Sequence, residues 1–251
     1  MLGIPDVFFG ALLALAATAA GAAGLLLVKS VSRIQHCIIL AFSSGVMLYA
    51  AAEMLLQSYF SGWENAAIGF ACGGAALFLL EKLIPHAHAF VRGRHAAGIS
   101  NEGKKAVLIG GTITLHNIPE GFAIASAFAA SSPLGWLVSV SIAVQDVPEG
   151  LIVSAPLAAY GVSRKTSVFW GIFSGVVEAA AAVAGFVFIA ATASITPLAL
   201  AFSAGAMAFV TFFELLPDAF SEAKKRMPTI ALAAGLVGAA LIAFLLAVKP
   251  M

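Results

Sequence analysis

The chain has 251 residues, 61% of them hydrophobic and only 10% charged, with a formal net charge of +1. Soluble globular chains are about 25% charged, so this composition excludes a soluble enzyme, a nucleic-acid binder and a disordered protein. It specifies an all-α polytopic membrane protein, a single transmembrane domain over residues 1–251.

Taken in chain order, eight apolar segments lie between polar clusters, at 5–28, 36–58, 64–84, 105–130, 134–160, 167–191, 196–217 and 229–248. Each is long enough for one helix across a bilayer, which needs about 20 residues. The first segment has no basic residue before Lys29 and is too long for a signal peptide, so it reads as a span. Pro5 suits its first turn, where a missing N–H leaves nothing unpaired. Cys37 and Cys72 lie in apolar stretches, support neither a disulfide framework nor a thiolate zinc site, and read as small buried hydrophobes.

The basic residues set the orientation. Lys29 and Arg33 fall between the first two spans, and Lys82, Arg92, Arg94, Lys104 and Lys105 between the third and fourth. Arg164 and Lys165 separate the fifth and sixth, and Lys224, Lys225 and Arg226 the last two. Only Lys249 falls on the other side. The positive-inside rule makes the basic side cytoplasmic and puts both termini outside, as in a multi-pass plasma-membrane protein (the inner membrane of a bacterium). The longest loop, 85–104, is then cytoplasmic and carries His86, His88 and His95. These read either as solvated loop residues or as a weak metal-holding cluster.

Two internal similarities stand out. Phe42-Ser43-Ser44-Gly45-Val46-Met47 in the second span matches Phe202-Ser203-Ala204-Gly205-Ala206-Met207 in the seventh. Each is followed by an acid, Glu53 and Glu214, if one residue of slip is allowed. His116-Asn117-Ile118-Pro119-Glu120-Gly121 in the fourth span matches Gln145-Asp146-Val147-Pro148-Glu149-Gly150 in the fifth. Both pairs join spans of opposite direction, the pattern of inverted-topology repeats in secondary transporters.

Six acids lie within spans: Glu53, Glu120, Asp146, Glu149, Glu178 and Glu214. No Lys or Arg lies at comparable depth. A charge at a helix centre costs about 2.5–3.5 kcal/mol, so six cost as much as the whole stability of a domain. Protonation and water offset part of this, and a bound cation offsets the rest. His116 and Glu120, and likewise Gln145 and Glu149, are one helical turn apart on a common face; Asn117 and Asp146 join the same faces. Facing helices gather an imidazole, two amides and three carboxylates, donors for a borderline divalent metal. No thiolate joins them, which disfavours monovalent copper. Pro119 and Pro148 free the carbonyls of Leu115 and Val144 and open space between helices, and Gly121 and Gly150 permit close approach. Glu178 reads as a ligand or a helix-packing acid, Glu53 and Glu214 as interface residues or acids on an access path, and Met47 and Met207 as core or thioether contacts.

These motifs resemble those of the ZIP (Zrt/Irt-like) family of divalent metal transporters, and the likeness covers essentially the whole chain. It implies eight helices, uptake toward the cytoplasm, and a binuclear centre. His116, Glu120, Gln145 and Glu149 match the first, transport site. Asn117, Asp146 and Glu178, sharing Glu120 and Glu149 as bridges, match the second. Many members carry His where Gln145 stands, so this first site is one imidazole poorer. The resemblance also implies a homodimer in the lipid bilayer, with spans one, four, five and six moving against two, three, seven and eight by alternating access. The expected cargo is zinc first, then iron, manganese and cadmium, with no prosthetic group and no nucleic-acid partner. Rival readings are an intramembrane metal-dependent hydrolase, a proton-coupled cation exporter and an inert scaffold. No phosphate-binding loop is visible, so ATP coupling within the chain is not expected.

Overall fold

The computed structural model describes residues 4–28, 31–83, 117–159, 161–221 and 226–248. The expected cytoplasmic loop, the first part of the fourth span and His116 lie outside the described residues. The helices are α1 (Ile4–Gly24), α2 (Arg33–Ser61), α3 (Trp63–Leu83), α4 (117–130), α5 (Ser132–Ala159), α6 (Arg164–Ala191), α7 (Thr196–Val210) and α8 (Arg226–Val248). A π-helical turn, Thr211–Leu215, and a last α-turn, Leu216–Ala219, prolong α7 without a break. There is no strand among the described residues, and seven of these helices are long and apolar enough to cross a membrane.

Local sequence sets the ends. Ser32 and Gln35 form a capping box at the start of α2: the Gln35 amide donates to the Ser32 hydroxyl (3.3 Å), and the Ser32 amide donates to the Gln35 side chain (2.9 Å). Gly62, at φ +150°, takes the positive-φ backbone that turns the chain from α2 into α3. Arg164 donates to the carbonyls of Leu25 and Val28, both at 2.7 Å, and so satisfies acceptors left by the end of α1.

The helices form two layers. In one, α1 packs on α5 and α6; in the other, α3 packs on α7 and α2 on α8, with α2 bridging to α5 and α7. Small residues permit these contacts. A Cβ on Gly45 would strike the Leu232 carbonyl of α8, and one on Gly235 the Phe42 carbonyl of α2. Likewise a Cβ on Gly205 would strike the Phe70 carbonyl of α3, and one on Gly73 the Phe202 carbonyl of α7. Phe42 and Phe202 are matching positions of the first repeat, so the two joints are built alike.

Helices α2 and α7 run antiparallel. Ser58 donates to the Pro197 carbonyl (2.7 Å), Thr211 touches the Met47 sulfur (3.8 Å), and the Cys37 thiol donates to the Asp218 carbonyl (3.6 Å). The one-residue slip between Glu53 and Glu214 has a local cause. The π turn follows α7 after Met207 and contains Glu214, and a π turn absorbs one extra residue in an otherwise α-helical rod. Met47 and Met207 are both buried in the main apolar core. Cys37 is buried as expected, but Cys72 is exposed on α3. In a membrane helix an exposed apolar position meets lipid, so Cys72 needs no protein contact.

Candidate metal centre

The two Pro-Glu-Gly motifs begin the described part of α4 and occupy the middle of α5. Their apolar members, Ile118 and Val147, are 41% and 47% exposed and point away from the protein. Their polar members point inward: Asn117, Glu120, Gln145 and Asp146 are buried, and Glu149 is half-buried. Helix periodicity produces this division, since positions three and four apart share a face. Glu178 of α6 is fully buried beside them.

The glycines set the spacing. A Cβ on Gly121 would strike the Glu178 carbonyl and approach the Ala182 amide to 3.0 Å. A Cβ on Gly150 would strike the Thr18 carbonyl and approach the Ala22 amide to 2.9 Å. α4 therefore lies on α6 as α5 lies on α1. Pro148 stands inside α5, where it cannot donate to the Val144 carbonyl.

Carboxylate oxygens of Glu120, Asp146 and Glu149 all lie within 4.8 Å of one another. The Gln145 amide nitrogen donates to Glu120 at 2.7 Å, and that of Asn117 to Glu178 at 3.4 Å. Both amides thus spend a donor on a carboxylate and keep an oxygen for the interior. The Asn117 and Gln145 amide oxygens, one oxygen each of Glu120 and Glu178, and both oxygens of Asp146 have no donor among the described residues. Buried polar atoms are almost always paired, so a set of unpaired acceptors of one kind is exceptional and is costly without a partner. Two ionised carboxylates this close repel by about 3 kcal/mol at an effective dielectric constant near 20. A multivalent cation reverses the sign of that interaction.

Not every candidate joins the cluster. Glu53 is half-buried on α2 beside Tyr49, and Glu214 sits half-buried on the π turn; neither belongs to the carboxylate group around Glu120. His116, His86, His88 and His95 lie outside the described residues. Sequence reasoning missed Thr18, which lies buried on α1 beside Asp146.

The surroundings of the centre are unequal. Ile124 on α4 and Ile142 on α5, each about one turn from the polar cluster, are fully buried in the apolar core. Toward the opposite end, a cavity of about 490 Å³ opens among Val31, Arg33, His36, Pro156, Arg164 and Asp218. Arg33 and Arg164 belong to the basic side of the charge pattern.

Comparison with known proteins identifies the family. The family model described as "ZIP Zinc transporter" matches residues 106–246, more than half of the chain. The chain belongs to the ZIP family. It is 33% identical to the zinc transporter ZupT of Corynebacterium glutamicum over 78% of this chain and 82% of that one. It is 32% identical to the zinc transporter GufA of Myxococcus xanthus, over 69% and 68% of the two chains. It is also 34% identical to a putative zinc transporter of Arabidopsis thaliana over 72% of this chain, but spans only 29% of that protein's length.

Proposed function

We propose that this ZIP protein is an uptake transporter that carries divalent transition metal, zinc first, with iron, manganese and cadmium as further cargo. The observation that carries the reading is the set of inward-facing oxygens of Asn117, Glu120, Gln145, Asp146 and Glu178 that lack donors among the described residues. The names of the relatives support zinc as the first cargo. Ions occupy two neighbouring positions. His116, Glu120, Gln145 and Glu149 hold the first; Asn117, Asp146 and Glu178 hold the second, with Glu120 and Glu149 shared.

Transport follows from the uneven surroundings. The apolar core around Ile124 and Ile142 lies on one side of the centre, and the cavity near Arg33 and Arg164 lies toward the basic end of the described helices. With the basic side in the cytoplasm of a plasma membrane, metal leaves the centre toward that end. The layer of α1, α4, α5 and α6 then shifts against α2, α3, α7 and α8 to expose the centre to the outside. The carboxylates strip and replace water around the ion; the amides hold their neighbours in place through the Gln145–Glu120 and Asn117–Glu178 hydrogen bonds.

The test is zinc flux into proteoliposomes carrying Glu120→Ala. The variant inserts and folds but moves no zinc. Uptake at the wild-type rate would refute the site.

A further inference from the structure

The two motifs give the centre matching pairs, Asn117 with Asp146 and Glu120 with Glu149. Glu178 has no such match within them. The packing shows what stands opposite it. Gly121 of α4 abuts the Glu178 carbonyl and the Ala182 amide; Gly150 of α5 abuts the Thr18 carbonyl and the Ala22 amide. Thr18 is to α5 what Glu178 is to α4. The side chains continue the correspondence. Glu178 accepts from Asn117 at 3.4 Å, and the Thr18 hydroxyl lies beside Asp146, the residue matching Asn117.

Thr18 is 1% exposed, and its single hydroxyl proton goes to the Ala14 carbonyl at 3.0 Å. Its oxygen also lies within hydrogen-bonding reach of the Asp146 carboxylate, both of whose oxygens otherwise lack a donor among the described residues. A hydroxyl that spends its proton on a carbonyl keeps lone pairs free for a cation. We infer that Thr18 is a further oxygen donor of the metal centre, closing the Asp146 side of the second position from α1 as Glu178 closes the Asn117 side from α6. The inference rests on the two-position reading proposed above. It makes the second position lopsided, with a charged donor on α6 and a neutral one on α1. A neutral hydroxyl binds more weakly than a carboxylate, which suits an ion that must leave again.

Thr18 also fills space: a Cβ on Gly175 would lie 3.2 Å from its hydroxyl oxygen. The test must therefore separate oxygen from shape. Thr18→Val keeps the branched outline and removes the oxygen; Thr18→Ser keeps the oxygen and removes the methyl. Cadmium binding to the purified full chain is measured by equilibrium dialysis, metal-free melting by heat, and zinc uptake in proteoliposomes. Wild type binds two cadmium ions. Thr18→Val weakens the second by about 10- to 100-fold, the scale of losing a supporting group at a metal site, with unchanged metal-free melting. Thr18→Ser stays close to wild type. The inference is overturned if Val binds like wild type, or if Ser is impaired as much as Val. A wild type that transports zinc but binds one cadmium ion overturns it and leaves single-ion transport standing. A wild type that neither binds nor transports overturns both readings.

Discussion

The molecule uses one kind of joint twice over, and the two uses differ in chemistry. At the α2–α8 and α3–α7 joints, glycines meet backbone carbonyls and the neighbouring side chains are serine, alanine and methionine. At the α4–α6 and α5–α1 joints, glycines again meet backbone carbonyls, but the neighbouring side chains are glutamate, aspartate and amides. Close packing is common to both, so glycine explains the architecture and not the activity. On the proposed reading, the acids are what turn this kind of joint from a frame into a binding site.

The largest expected effect that sharpens this contrast is on the acids. Asp146→Asn and Glu178→Gln each remove one charge from the crowded group. Metal affinity should fall about 10- to 100-fold, while the metal-free protein loses no stability, because a neutral amide needs no proton to escape the crowding of carboxylates. Thermal melting with and without zinc reads both. Loss of stability in the metal-free state would mean that the acids serve packing. Ser43→Ala, in the neutral joint, should leave metal affinity unchanged.

Proton competition comes next. Carboxylates and imidazole bind metal only when deprotonated, so binding releases protons. Zinc uptake should fall as pH falls, through a higher KM rather than a lower maximal rate, when measured with both sides of the vesicle at equal pH. A KM that stays flat across acidic pH would place the cargo on groups that do not titrate.

Much of this contrast was legible in the sequence. Helix number and class follow from apolar length, and the inward face of the motifs follows from three- and four-residue spacing, as Ile118 and Val147 show by pointing outward. The paired Pro-Glu-Gly motifs pointed to Glu120 and Glu149 because an acid in a membrane helix is costly enough to need a purpose. What stayed hidden depends on packing between distant helices. Thr18 is an ordinary threonine in an alanine-rich helix, and nothing local distinguishes it. Its position relative to Glu178 has the same offset of 160 residues as Phe42 to Phe202, yet that offset gains meaning only once Gly150 and Gly121 are seen on their partner helices. The π turn was visible only as an unexplained slip, because i+5 hydrogen bonding leaves no residue signature here. Cys72 shows the opposite error: apolar surroundings in sequence do not distinguish core from lipid.

The glycines test whether the two joints are mechanically equivalent. Gly45→Ala and Gly121→Ala each drive a methyl into backbone atoms that cannot turn aside, and overpacking of this kind typically costs about 1–3 kcal/mol. Both should lower the melting temperature similarly. Only Gly121→Ala should also weaken zinc binding, because the displaced backbone carries Glu178. Equal loss of zinc binding in both variants would show that the frame and the site are not separable.

The smallest expected effect concerns the contact between layers. Ser126 of α4 and Ser203 of α7 are buried with their hydroxyls 3.0 Å apart. One of them donates to the other, and each has a carbonyl of its own helix as its alternative acceptor, Ala123 at 3.1 Å and Ala199 at 3.0 Å. Removing one hydroxyl therefore strands nothing, and Ser126→Ala should cost no more than about 1 kcal/mol. If the layers slide during transport, this bond breaks in every cycle. Its loss should then raise the maximal rate by up to about fivefold, since 1.36 kcal/mol corresponds to tenfold, with KM unchanged. Ser174→Ala is the control, because Ser174 bonds only within α6, to the Gly171 carbonyl at 2.8 Å. Identical rates for the two variants would mean that the α4–α7 contact persists throughout the cycle and that the moving boundary lies elsewhere.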